Sequence, residues 1–365
     1  MDAIGTLERL LEQLGTLDGS DLHLKAGQPA RARVKGRLIP LDGETPDAVQ
    51  LAAAMSDLMP ATSYDAFKKF GEVDFAYSLP DGTRFRVNAF LSQREIGMAF
   101  RRIRATPPTI SQLDLPPAVD RLAETQRGLI LVTGPTGSGK SSTLAAMVDA
   151  INRQRATHII TLEDPIEFQH RDIKSLINQR EIGFDTRSFA SALRASLRQD
   201  PDVILVGEMR DLETVEAAIK AAETGHLVLS TLHTLGAAET VSRILDFYPP
   251  HQHHQARISL ADVLSGIVSQ RLVPKADGTG QTPACEILIT NGRVKQAILD
   301  PAHSTDIQTV VSEGAFYGMA TFDQSLAELV QSGKVTADDA IASASNSHDL
   351  SIRLKELGVI AGGTP

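Results

Sequence analysis

Residues 134–141 read Gly-Pro-Thr-Gly-Ser-Gly-Lys-Ser, a complete G-x-x-x-x-G-K-[ST] phosphate-binding loop. Gly134, Gly137 and Gly139 let the backbone curl so that its N–H groups face a phosphate, where a Cβ would intrude. Pro135, Thr136 and Ser138 fill the positions between them. Lys140 has the reach and charge for β- and γ-phosphates, and the Ser141 hydroxyl is a ligand for Mg²⁺. Ser142 then opens a helix whose amino end points at the anion. The expected chemistry is binding of ATP with Mg²⁺.

A phosphate cradle alone hydrolyses nothing; carboxylates must orient water and support the metal. Asp202-Val203-Ile204-Leu205-Val206-Gly207-Glu208 is an apolar strand delivering an acid at its carboxyl end. It has the pattern of a Walker B strand, with Gly207 where an aspartate is usual, so Glu208 is expected as general base or water positioner. A second acidic cluster, Leu162-Glu163-Asp164-Pro165-Ile166-Glu167, follows another apolar run. Ligands of open α/β sheets gather at carboxyl strand ends, so Glu163 either joins the same site or lies in a solvated turn. Arg194 and Arg198, four apart, share a face of a helix ahead of Asp200-Pro201-Asp202. Arginines stabilise transferring phosphoryl charge, within a chain or from a neighbouring subunit.

These residues need a scaffold. From Gly128 the chain alternates short apolar runs with helical segments: Leu129–Thr133, His158–Leu162, Val203–Val206 and Leu227–Thr231 read as strands covered on both faces. That pattern predicts a parallel α/β sheet. Residues 1–106 read instead as a small α+β domain. Its features are an amphipathic helix through Leu7, Leu10, Leu11 and Leu14, a strand across Ala32–Ile39, and a hairpin from Phe75 to Phe90 turning at Asp81-Gly82. Pro107, Pro108, Pro116 and Pro117 mark 107–117 as a linker or hinge, 118–290 as the core, and 291–365 as a helical extension.

Composition narrows the classes. The 365 residues carry 36 Lys+Arg against 45 Asp+Glu, a net charge of -9, and the chain has no Trp. Neither bulk attraction to nucleic acid nor a stacking surface for single strands is expected, so no nucleic-acid partner is. The single cysteine, Cys285, excludes an intramolecular disulfide and a multi-cysteine zinc site, and reads as a buried small hydrophobe. With no basic secretory leader and no uncharged apolar run of ~20 residues, a soluble cytoplasmic chain is expected. Arg31, Arg33, Lys35 and Arg37 alternate as on one strand face, and His251, His253 and His254 crowd a loop without further metal donors.

Four motifs stand in order: the phosphate loop, Glu163-Asp164-Pro165-Ile166-Glu167, Leu197–Asp202 leading to Gly207-Glu208-Met209-Arg210-Asp211, and Thr224-Gly225-His226 with Thr231-Leu232-His233. Together they resemble the type II/type IV secretion ATPase superfamily, from about Ser20 to at least Arg271. Gly19–Leu24, Arg84-Phe85-Arg86-Val87-Asn88 and Gly318–Leu326 resemble its type IV pilus retraction branch. The resemblance implies a PAS-like N-terminal domain, a RecA-like ATPase domain with a helical extension, and a homo-hexameric motor that powers pilus retraction. It implies that Glu163 helps position Mg²⁺ and water, and that Glu208 is the catalytic glutamate. His226 and His233 would be γ-phosphate or interface sensors, and Arg194 and Arg198 sensing arginines. Arg86 and Arg101 or Arg102 would be arginine fingers. An inner-membrane pilus platform protein and other pilus motor ATPases are the implied partners, with peripheral docking at the inner face of the membrane. Two features qualify the branch: Val294–Leu299 matches the branch's Ala-Ile-Arg-Asn-Leu-Ile motif poorly, while the cysteine count departs from the zinc-bearing assembly branch. An assembly or type II secretion ATPase, or a DNA-translocating RecA-like motor, are the alternatives.

Overall fold

Alternating apolar residues in the first hundred positions build a sheet that buries one face against helices. The computed structural model describes residues 3–34, 36–43 and 45–359. The chain divides into two units. One holds the chain up to Thr106 plus Glu167–Gln169; the other holds Pro107–Ile166 and the chain from His170 onward.

The first unit contains helices α1 (Ala3–Thr16), α2 (Ala48–Leu58) and α3 (Ala61–Phe70). Its strands are β1 (Asp21–Lys25), β2 (Arg31–Val34), β3 (Arg37–Pro40), β4 (Glu72–Ser78), β5 (Arg84–Ser92) and β6 (Glu95–Arg102). They form an antiparallel sheet in the order β3-β2-β1-β6-β5-β4. Leu22, Phe75, Phe85, Val87 and Phe100 point to one face and bury Leu7, Leu11 and Leu14 of α1 and Leu51 and Met55 of α2. The opposite face is polar: cross-strand register sets Arg33, Asp21, Arg101 and Arg86 in one row. The strand expected across Ala32–Ile39 is a hairpin, with Val34 opposite Arg37 and Gly36 at φ 80° in its turn. The alternating basic residues are therefore split between two strands, and Lys35 lies outside the described residues.

The second unit begins with residues 107–117, expected as a linker. Ile110 and Leu115 are instead buried with Val119 and Leu122 of α4 (Pro117–Ala123), so apolar residues between the prolines draw the segment into the core. The strands that follow are β7 (Gly128–Thr133), β8 (His158–Glu163), β9 (Leu176–Glu181), β10 (Val203–Val206), β11 (Leu227–Leu232), β12 (Leu264–Pro274) and β13 (Gln281–Ile289). They lie in the order β13-β12-β7-β11-β10-β8-β9, all parallel except β13. One face packs on α5 (Lys140–Gln154), through Leu144, Met147, Val148 and Ile151. The other packs on α6 (Phe189–Ser196), α7 (Leu212–Glu223), α8 (Ala237–Asp246), α9 (His253–Val263), α10 (Gly292–Leu299) and α11 (Ile307–Ser312). Burial on both faces explains the nearly unbroken apolar runs of β7, β10 and β11.

The helical extension has two parts. α10 and α11 join the main core, whereas α12 (Phe322–Gln331), α13 (Ala337–Ser343) and α14 (Ser347–Glu356) form their own cluster over Val273 and Ala284. Cys285 is buried on β13, where desolvation pushes its thiol up to about 12. Among the described residues no helix is long and apolar enough to cross a membrane.

Candidate active site

The phosphate loop joins the carboxyl end of β7, the fully buried strand beside β11, to the amino end of α5. Gly134, Gly137 and Gly139 adopt φ of 143°, 81° and 90°, which side chains rarely tolerate. A Cβ at Gly134 would run into the Gln270 carbonyl and come within 2.6 Å of Ser138 Oγ. Lys140 Nζ donates to the carbonyls of Gly134 (2.8 Å) and Pro135 (2.9 Å), which folds the ammonium over the loop. Ser138 Oγ is buried without a hydrogen-bond partner. A glycine cradle around an orphaned hydroxyl, a lysine and a helix amino terminus fits a polyphosphate. Thr136, Ser141 and Ser142 are carried by the same turn and the first residues of α5.

The acids stand at neighbouring strand ends. Registers align Leu162 of β8 with Val206 of β10, Val206 with Ser230 of β11, and Leu232 with Thr133 of β7. Glu163, Glu208, His233 and Gly134 therefore follow one another along the carboxyl edge of the sheet. Glu163 Oε1 accepts from Thr161 Oγ1 (2.6 Å) and Gln179 Nε2 (3.1 Å). Glu208, only 13% exposed at its side chain, meets Arg210 Nη2 through Oε1 (2.6 Å) and His233 Nε2 through Oε2 (3.5 Å). The backbone before it is anchored, since Thr231 Oγ1 donates to the Gly207 carbonyl (2.7 Å) and Gly207 N–H to the Leu162 carbonyl (2.8 Å). A Cβ at 207 would lie 3.2 Å from the Leu162 oxygen, closer than an ordinary contact.

Ser141, Glu163 and Glu208 offer hard oxygen donors, the chemistry Mg²⁺ takes. Among the described residues no group of three or more His, Cys, Asp or Glu makes a metal cage. The donor set thus suits a cation held by one or two carboxylates together with substrate phosphate oxygens.

Other expected site residues lie elsewhere. His226 precedes β11, its Nδ1 beside the Ala221 carbonyl (2.9 Å) and its own carbonyl taking the Gly128 N–H at the start of β7. The six-residue strand between His226 and His233 sets them about 20 Å apart, so His226 caps α7 at the far end of the sheet and is no γ-phosphate sensor of its own chain. Arg194 is tied to Glu213 in the first turn of α7 (2.6 Å). Arg198 does not share its helix face: α6 stops at Ser196, and Arg198 lies in the following turn, its Nη1 on the Arg194 carbonyl (3.3 Å).

In the first unit Arg86 and Arg101 are cross-strand neighbours on the polar face, paired with Asp74 (3.5 Å) and Asp21 (2.9 Å). Burial raises the Asp21 carboxyl, but the Ser20 hydroxyl and the Arg101 guanidinium outweigh it and hold the group below the usual carboxylate range. Arg102 points the other way and binds the Gly15 carbonyl (3.2 Å) and Asp18 (3.0 Å) at the end of α1. Of the two candidates, only Arg101 shares a face with Arg86. His251, His253 and His254 form a turn into α9, where His253 Nε2 meets the Tyr248 carbonyl (2.9 Å).

Two residues at the site carry no role from the sequence pattern: Arg210, although it lies within the Gly207–Asp211 motif, and Gln179, because the polar run Leu-Ile-Asn-Gln-Arg-Glu of β9 has no strong strand signal.

A family model described as type II/IV secretion system protein matches residues 85–357. A twitching motility protein of Neisseria gonorrhoeae is 50% identical over 280 residues, covering 77% of this chain and 75% of its own. The type IV pilus retraction ATPase PilT of Pseudomonas aeruginosa is 43% identical over 321 residues, covering 88% of this chain and 93% of its own. The crystal structure of the pilus retraction motor PilT with bound ADP superposes with a TM-score of 0.87 at 42% identity, covering 95% of this chain and 99% of that one.

Proposed function

The chain belongs to the type II/IV secretion system protein family, and we propose that it is an ATPase motor that powers retraction of type IV pili. The observation that carries the reading is the alignment of a complete phosphate loop with Glu163, Glu208 and His233 on one sheet edge, in a chain similar to retraction motors over nearly its whole length.

The loop N–H groups and Lys140 hold the β- and γ-phosphates of ATP and spread their charge. Glu208 orients the attacking water and accepts its proton, with Arg210 holding one carboxylate oxygen and His233 standing beside the other. Mg²⁺, when bound beside Ser141 and Glu163, supplies further neutralisation of charge on the phosphate oxygens. Six copies assemble as a ring in which Arg86 and Arg101 of one copy serve the phosphates of a neighbour. Arg194 and Arg198 act from the turns around α6, and His226 at a subunit boundary. The load is a pilus platform protein in the inner membrane, approached from the cytoplasmic face, alone or with other pilus motor ATPases.

Deleting the gene tests the direction of the motor. Abundant pili that never shorten are expected under the microscope; bald cells would mean that the chain assembles pili.

A further inference from the structure

We propose that Gln179 is a positioning residue for the nucleotide site, holding the Glu163 carboxylate from the neighbouring edge strand. The proposal rests on the reading of Glu163 as the acid that helps position metal and water.

β9 pairs in parallel with β8, and the register sets Gln179 beside Thr161 and Glu181 beside Glu163. The half-buried Gln179 uses both ends of its amide. Nε2 donates to Glu163 Oε1 at 3.1 Å, while Oε1 accepts the His170 N–H at 2.8 Å. The two contacts fix which way the amide faces, because a backbone N–H needs the carbonyl and a carboxylate needs the amino group. Thr161 Oγ1 reaches the same Glu163 oxygen at 2.6 Å. Glu163 is thus gripped by a hydroxyl of its own strand and an amide of the next.

The brace extends along β9. Glu181, 4% exposed, accepts the Ile166 N–H at 3.3 Å, and its own N–H goes to Asp185 Oδ2 at 2.8 Å. One strand therefore grips the acidic turn at Glu163, Ile166 and His170. The choice of a neutral amide has a chemical reason. A lysine or arginine at 179 would form an ion pair competing with the cation for Glu163, and a glutamate would repel it. An amide orients the carboxylate and leaves its charge available.

Gln179→Glu tests the proposal because it keeps an acceptor for His170 N–H while replacing the donor toward Glu163 with a carboxylate that repels it. Gln179→Leu is the second variant, removing donor and acceptor together. The readout beyond turnover is Mn²⁺ binding to the full-length, ADP-loaded protein, followed by the electron paramagnetic resonance signal of free Mn²⁺. Both variants should weaken Mn²⁺ by about tenfold and lower kcat by a similar factor, with ADP affinity in EDTA unchanged. Glu163→Gln, measured alongside, should weaken Mn²⁺ at least as much, and adding Gln179→Leu to it should cost little more. Wild-type Mn²⁺ affinity in both Gln179 variants, or fully additive losses in the double variant, would overturn the proposal while the role of Glu163 stands. Wild-type Mn²⁺ affinity in Glu163→Gln would overturn the reading of Glu163 itself, and the Gln179 proposal with it.

Discussion

Glu208, proposed as the general base, lies just beyond a carboxyl strand end, with Arg210 on one carboxylate oxygen and His233 3.5 Å from the other. Glu208→Gln keeps the shape and removes the proton acceptor. ATP binding should persist while turnover falls by a factor of about 10²–10⁴, as filter binding and phosphate release would measure. Lys140→Ala should instead lose nucleotide affinity along with hydrolysis. His170 carries a pH dependence of a different origin. Burial pushes its pKa down from 6.5 to about 4, against the weaker pull of Asp149, and its buried Nδ1 has no hydrogen-bond partner. The unfolded chain therefore binds a proton that the folded chain refuses, and stability declines as pH falls from about 6.5 toward 4, by up to about 3 kcal/mol. His170→Phe should flatten that part of a plot of melting temperature against pH; an unchanged slope would assign the acid sensitivity elsewhere.

Elements, more than single residues, divide what could be read in the sequence from what could not. The phosphate loop is contiguous, so its chemistry and its flanking strand and helix were visible together. Glu163 and Glu208 were visible as acids ending apolar runs. His226, expected as a γ-phosphate or interface sensor, precedes β11, whereas parallel strands gather ligands where they end, which leaves the interface as the part of that expectation its position suits. β9 was invisible because an edge strand half exposed to water carries no apolar run, and Gln179 was lost with it. β12 follows α9 without a breaker, since Val263 ends one and Leu264 begins the other. The prolines of 107–117 stiffen the chain, but Ile110 and Leu115 decide where that segment packs. One further element depends on a contact no local pattern contains. Glu286 of β13, 3% exposed, accepts the Ala237 N–H at 2.8 Å and so caps α8, just after the turn that carries His233. Glu286→Ala should destabilise by about 1–3 kcal/mol in urea unfolding, with Glu286→Gln recovering part of the loss.

Each unit carries its own polar surface: the second a sheet edge with the phosphate loop and acids, the first a sheet face whose row runs Arg33, Asp21, Arg101, Arg86. If that row serves a neighbouring copy in a ring, Arg101→Ala and Lys140→Ala subunits, each inactive alone, should regain part of their ATPase activity when mixed. The Lys140→Ala copy still offers its arginines to an intact neighbouring site. No recovery would place Arg101 outside catalysis in trans. Retraction itself is tested most directly by imaging labelled pili in cells whose only copy carries Glu208→Gln. The account predicts pili that extend and stay extended, with withdrawal events nearly abolished; withdrawal at the wild-type rate, or cells without pili, would contradict it.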